Sequence, residues 1–87
     1  MLRISLVALG LAVSPLAAVA LPSVGDVVGT NPDAAKAAIE KAGCKVSQFA
    51  PDGGKIEAKC VDTATNKPMD VYIDPATGAV TDIRPAN

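Results

Sequence analysis

Val71-Tyr72-Ile73-Asp74-Pro75-Ala76-Thr77-Gly78-Ala79-Val80 reads as a strand, a tight turn and a returning strand. Met69, Val71 and Ile73 alternate with Asp70, Tyr72 and Asp74, the period-two signature of a half-buried strand. Pro75 and Gly78 bound the turn, and the Asp74 carboxylate is suited to brace it. With Asp74 opposite Ala79, Ile73 faces Val80 on the buried side, and Ala79 to Ile83 form the returning strand. Asp74, Pro75, Thr77 and Gly78 are therefore read as fold signature, with no chemistry of their own.

Upstream lies a second strand-turn-strand pattern. Lys45 to Phe49 and Lys55 to Lys59 flank Ala50-Pro51-Asp52-Gly53-Gly54. Pro51 suits the second position of a type I turn, and Gly53 suits the left-handed residue of a bulged hairpin. That turn sets Phe49 opposite Lys55 and, in the same register, Cys44 opposite Cys60. The register and an even cysteine count predict a Cys44–Cys60 disulfide. With no His in the chain, two thiols make a poor metal site, and their spacing is far from the Cys-x-x-Cys of redox motifs.

Ahead of this hairpin the sequence predicts a helix. Asn31 is the cap, Pro32 suits the first helical position, and Asp33 complements the positive end of the dipole. Ala35, Ala38, Ile39 and Ala42 form one apolar stripe, and Gly43 ends the helix. Glu40 follows Lys36 by four residues, the less favourable order for an ion pair, and is assigned nothing beyond solubility. The lead-in, residues 21–30, contains Val24, Val27 and Val28, which are suited to pack under the helix, and the sequence leaves its conformation open. Residues 61–68 read as a polar connector between the hairpins. The expected class is α+β: one helix packed on a small antiparallel sheet of two consecutive β-hairpins, with a disulfide inside the first.

The first 20 residues read as a signal peptide. Arg3 supplies the positive n-region, Ile4 to Leu16 the apolar stretch, and Ala18-Val19-Ala20 the small-x-small cleavage pattern. The apolar run is shorter than the roughly 20 residues a membrane span needs. Cleavage after Ala20 predicts a periplasmic or secreted protein, and an oxidising compartment for the cysteines. Residues 21–87 then carry seven basic and nine acidic side chains, a net charge of −2. That balance argues against nucleic acid and against an anionic membrane surface as partners. The expected organisation is a signal peptide (1–20), a lead-in (21–30) and one small domain (31–87).

The order of a helix, Ala-Gly-Cys-Lys-Val, a Gly-rich hairpin, a polar connector and Val71 to Val80 resembles the small exported PepSY-like proteins. The likeness runs from about Asn31 to Ile83, and its most recognisable part is an apolar-aromatic-apolar triplet followed by Asp-x-x-Thr-Gly-x-Val. The resemblance implies a non-catalytic domain with a helix on an antiparallel sheet. Relatives occur in propeptides of thermolysin-type metalloproteases, in membrane proteins and as free periplasmic proteins, and an inhibitory or protein-binding role is commonly proposed for them. Cys44 and Cys60 set this chain apart from many relatives. A weaker likeness, through Asp26-Val27-Val28-Gly29-Thr30 and Ala42 to Val46, is to PASTA modules. It ranks second because their downstream Gly-rich strand pattern is missing.

Strict strand alternation places Tyr72 on the face away from the helix. It sets Phe49 opposite in face to Cys44 and Val46, and Ile83 beside Tyr72. Phe49, Tyr72 and Ile83 are thus the candidate partner contacts, forming an apolar patch on the open sheet face. A cation site from Asp70, Asp74 and Asp82 is disfavoured because Asp82 is expected on the other face. Without His, and with both cysteines paired, no nucleophilic couple is available, so no enzyme and no cofactor are expected. The expected function is a non-catalytic exported module that binds another exported protein, a peptidase among the candidates, through an edge strand or the open face. The alternatives are a self-associating structural protein and a small ligand- or cation-binding module.

Overall fold

The computed structural model describes residues 21–86; the signal peptide assigned to residues 1–20 lies outside the described residues. The elements are α1 (Pro32–Lys41), β1 (Cys44–Asp52), β2 (Lys55–Asp62), β3 (Lys67–Ile73) and β4 (Val80–Pro85). The four strands form one antiparallel sheet in the order β1-β2-β3-β4. This is the α+β class, with the strands forming one continuous meander. β2 and β3 also pair along seven residues, from Ile56↔Ile73 to Asp62↔Lys67. The expected connector shrinks to Thr63–Asn66, with the Ala64 N–H donating to Asp62 Oδ1 and Asn66 at φ 65°.

α1 begins where its capping chemistry is. Asn31 Oδ1 accepts from the N–H groups of Asp33 (2.8 Å) and Ala34 (3.2 Å), satisfying two donors that have no partner within the helix. Replacing Asn31 by Ala is expected to cost about 1 kcal/mol, with Asn31→Asp close to neutral, as read from urea midpoints at constant slope. Ala35 and Ile39 are the helix residues that become buried. They meet Cys44, Val46, Ala58, Cys60, Val71, Ile73 and Val80 from the sheet. Ala58 and Ala35 allow close approach of helix to sheet, and Ile39 supplies the bulk.

The Cys44–Cys60 disulfide is present, with a Cα–Cα distance of 5.4 Å, but the register behind its prediction is not. Phe49 lies opposite Ala58 rather than Lys55, Cys44 opposite Asp62, and Val46 opposite Cys60. The turn is tighter than expected: Gly53 (φ 56°) and Gly54 (φ 85°) form a two-residue loop, which makes Pro51 and Asp52 strand residues. Two consecutive positive φ values match the twist of the flanking strands, and Gly-Gly adopts them without penalty. The bridge therefore joins diagonal neighbours rather than facing ones.

Two β-bulges decide which way side chains point. In β1 the register slips between Val46 and Gln48, leaving Ser47 unpaired, and the Ser47 hydroxyl donates to the Lys59 carbonyl. In the β3–β4 pair it slips at Tyr72/Ile73, leaving Thr81 unpaired, and the Thr81 hydroxyl donates to the Tyr72 carbonyl. Each extra residue inverts the alternation beyond it.

The lead-in joins the domain as a strap on β4. The Gly25 N–H donates to the Val80 carbonyl, the Val80 N–H to the Asp26 carbonyl, and the Val28 N–H to the Gly78 carbonyl, each at 2.8 Å. Of its three valines only Val28 is buried, while Val24 and Val27 point to solvent, which settles the conformation that the sequence left open.

Candidate functional site

The bulges separate the three expected contact residues. Phe49 pairs with Ala58 and Ile83 with Val71, so both lie on the helix side of the sheet and pack against the core. Tyr72, opposite Glu57 and Asp82, alone stays on the open face. The predicted apolar patch does not form, because strict alternation was carried through Ser47 and Thr81. The same slip moves Asp82 onto the face of Asp70, again against expectation.

The open face is instead a lattice of charge. Lys59 Nζ lies 3.3 Å from Glu57 Oε2 and 3.6 Å from Asp70 Oδ1, the latter beyond hydrogen-bond reach. Its hydrogen bond to Glu57 and the nearby Asp70 charge raise the Lys59 pKa. Arg84 donates to Asp82 at 2.6 Å, holding that carboxyl below its ordinary value, and its guanidinium sits 5.1 Å from the centre of the Tyr72 ring. Burial, then the Glu57 and Asp70 charges, push the Tyr72 phenol up. Asp70 Oδ1 is left buried without a hydrogen-bond partner, whereas the Lys59–Glu57 and Arg84–Asp82 pairs, already formed on a partly exposed face, contribute little affinity to a partner.

Both sheet edges are blunted. At β1 the outward Val46 N–H donates to Glu40 Oε2 (3.2 Å), giving Glu40 a role beyond solubility, and Pro51 has no N–H to offer. At β4 the strap takes the Val80 N–H, the Ile83 N–H donates to Asp82 Oδ1, and Pro85 has none. The Ala86 N–H points inward to the Pro68 carbonyl, so Ile83 and Pro85 are the outward positions of that strand end. The β4 edge thus offers an incoming strand few donors, whereas on β1 the Phe49 N–H, two residues before Pro51 and so on the same edge, stays unpaired.

What stays open is a cleft of about 200 Å³ beside the start of α1, lined by residues that include Pro32, Ala35, Phe49, Pro51, Ile56 and Ile73. Its origin is a mismatch of length. Ten helical residues span about 15 Å, whereas the nine residues of β1 span about 30 Å, so α1 covers only one half of the sheet face. The bulge at Ser47 then delivers Phe49 to the uncovered half, with Ile56 and Ile73 beside it. None of the lining residues is charged. The volume is below the roughly 300–1,000 Å³ of small-molecule sites, and suits one or two apolar side chains. Among the described residues no group of three or more His, Cys, Asp or Glu is placed to hold a metal, and no helix is long and apolar enough to cross a membrane.

The fold signature residues sit together in the β3–β4 turn. Asp74 Oδ1 accepts from the Ala76 N–H and Thr77 Oγ1 from the Ala79 N–H, while Pro75 borders the cleft. Gly78, buried at φ 75°, also meets the backbone of Gly29, which the sequence reading missed.

Residues 4–84 match the model of the PepSY family described as peptidase propeptide and YPEB domain, and the chain belongs to that family. No curated protein and no solved structure matches it. Domains of this family are generally non-catalytic propeptide or regulatory modules.

Proposed function

We propose that this PepSY module is a non-catalytic exported protein that binds another exported protein, with a peptidase as the partner class, through the cleft around Phe49. Family membership supports the class of role, and the cleft carries the choice of surface. It is the uncharged concavity left on a domain whose edges are blunted and whose open face is self-neutralised. A partner side chain buried against Phe49, Ile56 and Pro51 loses water at little polar cost, the setting in which interface anchors contribute most. This replaces the edge strand and the open face as the expected modes of contact. The self-associating alternative is disfavoured at the β4 edge, where the strap and Asp82 take the outward donors that strand-to-strand pairing needs.

Titration of the oxidised protein against exported metallopeptidases of its own host tests this reading. Saturable inhibition is expected, weakened about tenfold or more by Phe49→Ser and unchanged by Lys59→Ala on the opposite face. Absence of both inhibition and binding across those peptidases rejects the partner class. Equal loss in the two variants rejects the cleft.

A further inference from the structure

We propose that oxidation of Cys44 and Cys60 gates formation of this fold, and that once folded the bridge is closed to thiols. The cleft then exists only in the oxidised protein. That consequence rests on the cleft being the contact surface, whereas the gate itself is independent of any partner.

Three observations converge on it. The first is the place of the bridge. α1 packs on β1, an edge strand bonded on one side only, and β1 is interrupted at Ser47. Cys44 follows the Gly43 that ends α1, so the bridge fastens the helix and the first half of β1 to β2 beside the break in the ladder. The walls of the cleft are the start of α1 and the far half of β1, and both depend on that attachment. The second is the thinness of what remains. Among the described residues, and apart from the two cysteines, the buried apolar core consists of Val, Ala and Ile, with no buried Leu or Phe. A domain of this size with such a core usually needs a covalent staple. A loop of this length shifts the folded-to-unfolded ratio by about a hundredfold in the chain-entropy model.

The third is accessibility. Cys44 is 0% and Cys60 2% exposed, beneath Ile39, which is also 0% exposed. Thiol–disulfide exchange needs a thiolate to reach a sulfur directly, so the folded bridge exchanges only after the domain opens. The closing reaction balances with a disulfide of the glutathione or oxidoreductase class as oxidant. The Cys44–Cys60 bond forms, the oxidant's S–S bond breaks, and the two protons leave on the two thiols released. Entry is therefore easy for the open chain and exit is barred for the closed one.

The test uses the purified oxidised protein. Unfolded in denaturant with dithiothreitol and diluted into dithiothreitol alone, it is expected to lack native circular dichroism and to lose amide protection at Ile56 and Val71. Oxidised glutathione is expected to restore both. Without denaturant, the native protein should be reduced at least about tenfold more slowly than the urea-unfolded oxidised chain at the same dithiothreitol concentration. A Cys44→Val, Cys60→Ala chain, which keeps apolar side chains at both positions, should stay unfolded. Native protection in the reduced chain or in that variant overturns the gate. Reduction of the native protein as fast as the unfolded chain overturns the closure. Neither readout involves a peptidase, so failure of the gate and failure of the proposed function are distinguishable.

Discussion

Gly78→Ala is expected to destabilise the domain by at least about 2 kcal/mol and to release the lead-in strap. Two costs add at this position. The backbone sits at φ 75°, which a side chain adopts at a penalty of about 1–2 kcal/mol. A Cβ there would also lie 2.6 Å from the carbonyl carbon of Gly29, and backbone, unlike a flexible side chain, has nowhere to retreat. Gly54→Ala separates the two, because its φ of 85° carries strain while nothing lies within 4 Å of the added methyl. Urea unfolding should place Gly54→Ala near the strain cost alone and Gly78→Ala well beyond it. Amide exchange should show protection lost at Gly25 and Val28 in the Gly78 variant only, since these two donate across to β4. Equal effects in the two variants would remove the contact from the account.

Ile39→Ala is the other large effect, expected at about 2–5 kcal/mol. Ile39 is fully buried and is the one bulky aliphatic residue that α1 contributes to the core, the rest of its stripe being alanine. At about 0.05–0.15 kcal/mol per residue, the described residues 21–86 carry roughly 3–10 kcal/mol, and the thin core places them at the low end, so this single truncation removes much or all of it. The alanine-lined surroundings have few long side chains to collapse into the cavity, which favours the upper part of the range. Ile39→Val, losing one methylene, should cost about 0.5–1.5 kcal/mol and keep a cooperative transition. Thermal and urea unfolding of both variants in the oxidised state check the values. An Ile39→Ala chain as stable as Ile39→Val would mean that α1 contributes little to the core.

Much of the architecture was legible in local chemistry. Asn31, Pro32 and Gly43 marked both ends of the helix because capping depends on residues within a turn of one another. Ile73 opposite Val80 followed from the Asp74–Gly78 turn, where a short loop leaves little freedom of register. The first hairpin was harder because Ala50-Pro51-Asp52-Gly53-Gly54 offers two competing turns. The tighter Gly-Gly loop won by extending the ladder through Pro51 and Asp52. The disulfide was anticipated through a register the chain does not adopt. A diagonal pair of cysteines on one face bridges as readily as a facing pair when strand twist brings the Cα atoms to 5.4 Å.

The bulges had a signal that strict alternation overlooked. Apolar residues run 44, 46 and then 49 in β1, and 80 and then 83 in β4, a spacing of three where a regular strand keeps two. A hydroxyl residue sits inside each gap, and each hydroxyl bonds the carbonyl facing the break. Following those gaps puts Phe49 and Ile83 on the helix side and leaves Tyr72 among charges. The blunting of the edges gave no comparable sign. Glu40 meets Val46, and Asp26 meets Val80, across turns and loops that no local pattern specifies.

By itself, then, the sequence determined the elements and the α+β class, because these rest on short-range periodicity and capping, while the Val71–Val80 phrase carried the likeness to the family and the even cysteine count called for a bridge. The tertiary structure alone decided which half of the sheet face stays bare and which surfaces are closed to a partner. The physical reason is that facing is a cumulative property of a strand. One bulged residue inverts everything beyond it, and only the finished ladder, with a ten-residue helix laid across a longer sheet, shows where the apolar surface is left open.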